Sequence, residues 1–233
     1  MRLAALVVVI IVAVLIVLVT IASLSDGDHV YPNRDFARQL KQGLVDPARV
    51  LLVFAHPDDE SVFFAPTVLA LRQHHISTYF LCLSADDQSQ SYIGRRRELI
   101  NLASSVGIPE EHVITKQFLD CGGIFWDTDE VATEIDSAVK HWDINVVISF
   151  DERGASGHTN HISCYRGLKA CRSDVKRYKL NSNCKSIGDL KAQLGSWRPA
   201  LNMLAQHCSQ HTWWRRLGLI FSRHARVNRL VEL

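Results

Sequence analysis

The 233-residue sequence contains no Cys-X-X-Cys pair, no Asn-X-Ser/Thr sequon and no internal repeat. Its six cysteines, Cys82, Cys121, Cys164, Cys171, Cys184 and Cys208, are scattered. In a domain of this size that pattern points to reduced, buried thiols rather than to a disulfide framework. Glycine (12) and proline (6) are too sparse for a collagen-like or low-complexity chain, and 47% hydrophobic content is too high for a disordered one. Charge is missing in two places. Residues 3–24 run 22 positions without a charged side chain, and beyond residue 170 acids are scarce, 3 Asp+Glu against 12 Lys+Arg. Residues 1–170 carry 21 acids against 14 basic residues, so the net charge of +2 is a cancellation of −7 and +9.

The apolar run is long enough for a bilayer core, which takes about 20 residues. Ser23-Leu24-Ser25 offers small residues of the kind found at cleavage sites, but a signal-peptide core spans only about 7–15 residues. The sequence therefore predicts one uncleaved transmembrane helix over 1–24, a polar connector over 25–48 and a domain over 49–233. Arg2 flanks the run on one side and Arg34, Arg38 and Lys41 on the other. That balance places the domain on the cytosolic face.

Within the domain, short continuous apolar runs at 50–55, 78–83 and 145–150 read as strands covered on both faces, with 113–114 as a shorter one. Between them, 62–74, 95–106 and 129–142 read as helices. The alternation predicts an α/β fold with a Rossmann-like, mostly parallel sheet. Ligands bind outside the carboxyl ends of strands in such sheets. The first strand runs into Ala-His-Pro-Asp-Asp-Glu, residues 55–60. Pro57 holds His56 extended at the strand tip. His56, Asp58 and Asp59 are suited to metal ligation and base catalysis, or the acids cap the following helix. The strand ending at Phe150 runs into a loop with Gly154, Gly157, His158 and His161, the two histidines on one side of a turn. A His₂Asp set with an open position is the composition of a catalytic zinc site.

The pair Ala-His-Pro-Asp-Asp-Glu and Gly-His-Thr-Asn-His resembles the LmbE-like zinc-dependent deacetylases of N-acetylglucosamine conjugates. The extended match His-Pro-Asp-Asp-Glu-Ser-Val-Phe-Phe-Ala-Pro-Thr-Val-Leu and the N-terminal apolar run resemble the N-acetylglucosaminyl-phosphatidylinositol de-N-acetylase (PIG-L) branch. The resemblance covers roughly 1–171 and 213–233. It implies Zn²⁺, or another divalent metal, bound by His56, Asp59 and His161. It implies Asp58 as general base and His158 as oxyanion stabiliser or acid, with Arg95 and Asp120 contacting substrate. Arg95 also reads as a surface charge, since Arg96 and Arg97 adjoin it. The implied protein removes acetyl from N-acetylglucosaminyl-phosphatidylinositol in glycosylphosphatidylinositol anchor biosynthesis, at the endoplasmic reticulum membrane, with no nucleic-acid partner. Deacetylation of another N-acetylglucosamine conjugate and an inactive tethered variant are the alternatives.

Two C-terminal stretches stand apart. Residues 172–200 are polar, show no clear buried strand and depart from the family pattern. Trp213-Trp214-Arg215-Arg216-Leu217 to Phe221, with Arg223, Arg226 and Arg229, reads as a basic helix that lies on lipid or packs on the sheet.

Overall fold

The computed structural model describes residues 10, 13, 14, 33–42, 47–85, 90–182, 190–210 and 212–233. All but three residues of the expected anchor at 1–24 and half of the expected connector at 25–48 lie outside them. Among the described residues no helix is long and apolar enough to cross a membrane. Cys82, Cys121, Cys164, Cys171 and Cys208 are free thiols.

After helix α1 (Arg34–Lys41), the chain alternates strand and helix as expected. The order is β1 (Arg49–Phe54), α2 (Asp59–Val62), α3 (Ala65–Gln73), β2 (Ser77–Cys82), α4 (Gln90–Ser105), β3 (Val113–Thr115), α5 (Thr128–Trp142) and β4 (Val146–Ser149). The chain continues with α6 (Gly154–Gly157), α7 (Thr159–Ala170), β5 (Lys176–Leu180), β6 (Leu190–Gln193), α8 (Arg198–Leu204), α9 (Trp213–Phe221) and β7 (Val227–Glu232). Among the described residues, seven strands form one sheet in the order β3-β2-β1-β4-β5-β7-β6. The first five in that order are parallel, and β7 runs antiparallel to both β5 and β6. The continuous apolar runs become β1, β2 and β4, buried on both faces, with Phe54, Phe80 and Phe150 fully enclosed. The chain builds outward from β1 through β2 to β3 and then crosses back to lay β4 on the other side of β1, so the carboxyl ends of β1 and β4 flank the switch point where such sheets bind ligands.

Three expectations are corrected. The single helix expected over 62–74 is two, because the chain breaks at Phe63–Phe64 and α3 restarts with Pro66 in its first turn, where proline fits. The polar 172–200 stretch contributes β5 and β6. Tyr178 and Leu180 point inward while Lys176, Arg177 and Lys179 stay partly exposed, and Leu190 and Ala192 alternate likewise. A half-covered strand needs only every second residue apolar, so its composition looks polar. Finally, the basic terminus is not one helix: α9 ends at Phe221, and Arg229 lies on β7, which inserts between β5 and β6.

Glycine is required at one helix crossing. A Cβ on Gly167 of α7 would lie 2.2 Å from Val131 Cγ1 of α5. This contact seats α7 closely enough to bring His161 to the sheet edge.

Candidate active site

The β1 end supplies one half of the site. Asp59 does not cap α2. Its Oδ2 accepts the backbone N–H of Ala55 (3.1 Å) and His56 (2.8 Å), so the carboxylate folds back over the strand tip and leaves Oδ1 facing outward. Asp58, whose side chain makes no cap hydrogen bond either, sits at φ 116°, a left-handed conformation that costs a non-glycine residue about 1–3 kcal/mol. Glu60 holds it there. Glu60 Oε2 accepts the Asp58 N–H (3.0 Å), while Oε1 accepts Ser61 Oγ–H (2.6 Å) and lies 2.7 Å from His207 Nε2. Glu60 and His207 are both wholly buried.

The β4 end supplies the other half. Asp151 Oδ1 accepts N–H from Arg153 and Ala155 and folds the loop. Gly154, at φ +60°, leaves no room for a Cβ, which would meet His161 Cβ at 2.8 Å. His158 caps α7, its Nδ1 accepting the Asn160 N–H (3.3 Å) and its other ring nitrogen left to the cleft. His161 Nδ1 lies 3.0 Å from the Gly154 carbonyl. Donating there leaves Nε2 with a lone pair to offer. The Phe150 ring stacks on His161 with centroids 4.1 Å apart and fixes its plane.

The halves meet in a cluster. His161 Nε2 is 3.3 Å from His56 Nδ1 and 3.3 Å from Asp59 Oδ1, and His56 Nδ1 is 3.5 Å from Asp59 Oδ2. Ligands bonded tetrahedrally at about 2.0–2.2 Å stand about 3.4 Å apart, so the donor set fits a small divalent cation. The ring nitrogens of His56, His158 and His161 also lie within 4.8 Å of one another, which makes His158 a possible fourth neighbour of such an ion. On the far side of His56, Nε2 is 3.2 Å from Asp120 Oδ1 and 3.1 Å from Asn160 Nδ2. Arg95 Nη1 donates to Asp120 Oδ2 (3.2 Å) and Nη2 to the Pro57 carbonyl (3.4 Å). Arg95 thus faces the site, whereas Arg96 turns to Thr115.

Electrostatics follow from this packing. Burial alone would lower the pKa of His56, but hydrogen bonds and charge from Asp120 and Asp59 outweigh it and raise it to about 9. Burial opposes ionisation of Asp59, yet the charges and hydrogen bonds of His161 and His56 hold it far below the carboxylate range. The hydrogen bond from His56 draws Asp120 down to about 2 against its burial. Burial, with His56 and His161 adding repulsion, lowers His158. In the metal-free protein His56 therefore keeps its second proton through neutral pH, and a bound cation must displace it. The apparent affinity for zinc should rise about tenfold per pH unit toward the pKa of His56. Calorimetric titration of the metal-free protein at several pH values below that pKa checks this, and a flat profile contradicts it.

The cluster opens into a cleft of about 440 Å³, lined on the far side by Trp214, Arg215, Gly218 and Leu219 of α9. Arg215 Nη1 forms an ion pair with Asp58 Oδ2. The structure thus brings together all seven sequence-predicted residues: His56, Asp58, Asp59, Arg95, Asp120, His158 and His161. It adds Asn160, Arg215 and the Glu60–His207 pair, which sequence reasoning did not single out. Asn160 and Glu60 were visible inside the two motifs; Arg215 was visible only as part of the basic C-terminal stretch, and His207 had no local signal.

Imidazoles and carboxylates converging at the switch point of a parallel sheet define a metal-assisted hydrolase. Comparison with known proteins narrows the class. Residues 51–171 match the PIG-L family model, described as GlcNAc-PI de-N-acetylase, and the chain belongs to that family. It is 34% identical over 209 residues to the N-acetylglucosaminyl-phosphatidylinositol de-N-acetylase of Bos taurus, covering 78% of this chain and 83% of that one. Two solved structures share the fold. The N,N'-diacetylchitobiose deacetylase of Pyrococcus horikoshii superposes with TM-score 0.64 at 13% identity, over 86% of this chain and 89% of that one. The zinc-inhibited teicoplanin deacetylase Orf2 gives 0.61 at 13% identity, over 80% and 99%. The chain is a deacetylase, a metal-dependent amide hydrolase.

Proposed function

We propose that this deacetylase removes the acetyl group from N-acetylglucosaminyl-phosphatidylinositol, using zinc held by His56, Asp59 and His161. The observation that carries the reading is the donor triangle at the β1 and β4 ends, with Asp58 beside it. When bound, the metal lowers the pKa of water to about 7 and polarises the acetamide carbonyl. The chain's own groups do the rest. Asp58 takes the proton of the attacking water, within the strained turn that aims its carboxylate into the cleft, and returns it to the leaving amine as the C–N bond breaks. His158 donates a hydrogen bond to the developing oxyanion from the ring nitrogen not used to cap α7. Asp120 and Arg95 accept and donate hydrogen bonds to sugar hydroxyls, and their mutual ion pair fixes both before substrate arrives. Asp120 also orients His56 through Nε2, leaving Nδ1 for the metal.

The apolar run at 3–24 supports a single anchor in the endoplasmic reticulum membrane with the catalytic domain on the cytosolic side, where enzyme and lipid-linked substrate share a surface. The test is acetate release from N-acetylglucosaminyl-phosphatidylinositol in vesicles, with and without chelator, beside His56→Ala. Turnover should vanish with chelator, return with zinc and be absent in the variant. Chelator-resistant turnover overturns the mechanism, and folded, zinc-loaded protein that is inert on this lipid overturns the substrate.

A further inference from the structure

Among the described residues, ten large apolar side chains are exposed. Ile10 and Val14 belong to the N-terminal run and Leu233 is the last residue; the other seven sit on two elements only. Leu119, Ile124 and Phe125 lie on loop 116–127, and Trp213, Trp214, Leu217 and Phe221 lie on α9. Both elements border the catalytic cleft. The loop delivers Asp120 to His56 and Arg95, and α9 turns Arg215, Gly218 and Leu219 into the cleft. Helical spacing divides α9 into two faces. Residues 215, 218 and 219 line the cleft, while 213, 217 and 221 face solvent, Trp213 being 73% and Phe221 66% exposed.

We propose that this outer face of α9 and the tip of loop 116–127 form a rim that seats the mouth of the cleft on an anionic phospholipid bilayer. The inference rests on the lipid-linked substrate reading and specifies how that lipid is reached. Charge complementarity selects the occupant. On the α9 flank, residues 213–226 carry Arg216, Arg223 and Arg226 besides the inward-facing Arg215 and no Asp or Glu, which outweighs Lys116 against Asp120 and Asp127 on the loop. A cation also lies against the aromatic ring of the loop flank, Arg166 4.2 Å from the Phe125 ring centroid. Aromatic and apolar side chains interleaved with guanidinium groups match the depth profile of an interface, where rings sit at headgroup level and cations meet phosphates. A headgroup of sugar, inositol and phosphate then enters the cleft without its acyl chains leaving the bilayer.

The test uses the full chain reconstituted in phosphatidylcholine vesicles with or without phosphatidylinositol. The N-terminal run is common to wild type and variants, so differences between them report the rim. Lipids brominated near the headgroup should quench tryptophan emission in the phosphatidylinositol vesicles, and Trp213→Ala should reduce that quenching. Leu217→Ser with Phe221→Ser, and separately Ile124→Ser with Phe125→Ser, should each lower kcat/KM on vesicle-borne substrate roughly tenfold. Both should leave turnover of a water-soluble headgroup analogue unchanged. Unquenched wild type, or rim variants with undiminished kcat/KM on vesicles, overturns the proposal. Concentration-dependent dimers without lipid, dissolved by the same substitutions, also overturn it by assigning the face to a second copy. A wild type inert on both substrates defeats the substrate reading instead, and the quenching result still judges the rim.

Discussion

Asp58→Asn should lower kcat by about 10²–10⁴-fold, the range for losing a positioned general base, while zinc content stays at the wild-type level. The substitution is a clean one. Asparagine tolerates positive φ better than most residues, so the turn at φ 116° is kept, and its amide oxygen still accepts from Arg215. What disappears is the capacity to take a proton. His161→Ala should behave differently, losing metal and activity together, because His161 Nε2 is a corner of the donor triangle. Metal analysis beside acetate release separates the two. Full turnover by metal-loaded Asp58→Asn would remove Asp58 from the role of base.

His207→Ala should cost about 3–5 kcal/mol of stability, the penalty for breaking a buried polar pair from one side. Glu60 and His207 are fully enclosed 2.7 Å apart, so deleting the imidazole leaves the Glu60 carboxyl where water cannot replace the partner. In a domain of this size the loss corresponds to a Tm lower by roughly 10 °C. His207→Gln, which retains a donor, should recover part of it. Denaturant unfolding of both variants is the measurement, and a change below about 1 kcal/mol for His207→Ala would show that the pair is not what holds Glu60. Because Glu60 Oε2 accepts the Asp58 N–H, the folded fraction should also show impaired turnover with normal metal content.

What could be read from the sequence tracks how local its causes are. The central strands were legible because burial on both faces leaves an uninterrupted apolar run, as in Val50–Phe54. The metal cluster was legible because each half is contained in one short segment that follows a strand. His56 and Asp59 are three apart, as are His158 and His161. Whether Asp58 and Asp59 cap the helix or serve as base and ligand was left open by composition, and the geometry removes the cap: Asp58 makes no cap hydrogen bond and Asp59 folds back onto the backbone N–H groups of Ala55 and His56. β5 escaped notice because Tyr178 and Leu180 are its only buried side chains. The Arg215–Asp58 and His207–Glu60 pairs join residues 157 and 147 positions apart, separations to which no local pattern is sensitive.

The strand β7, wedged between β5 and β6, has a consequence for the order in which the molecule comes into being. A ribosome releases the residues around His56 and His161 long before those around His207, Arg215 and Asn228. Yet Asn228 accepts from Thr67 N–H and Oγ–H and donates to the Phe63 carbonyl, next to the turn that presents Asp58. A nascent chain that stops short of residue 207 holds every residue of both metal motifs. It still lacks the partner of Glu60, the guanidinium on Asp58 and the strand that joins β6 to the rest of the sheet. Synthesis therefore delivers the chemistry early and its alignment last, and the cleft becomes competent only as the final segment is laid into the sheet.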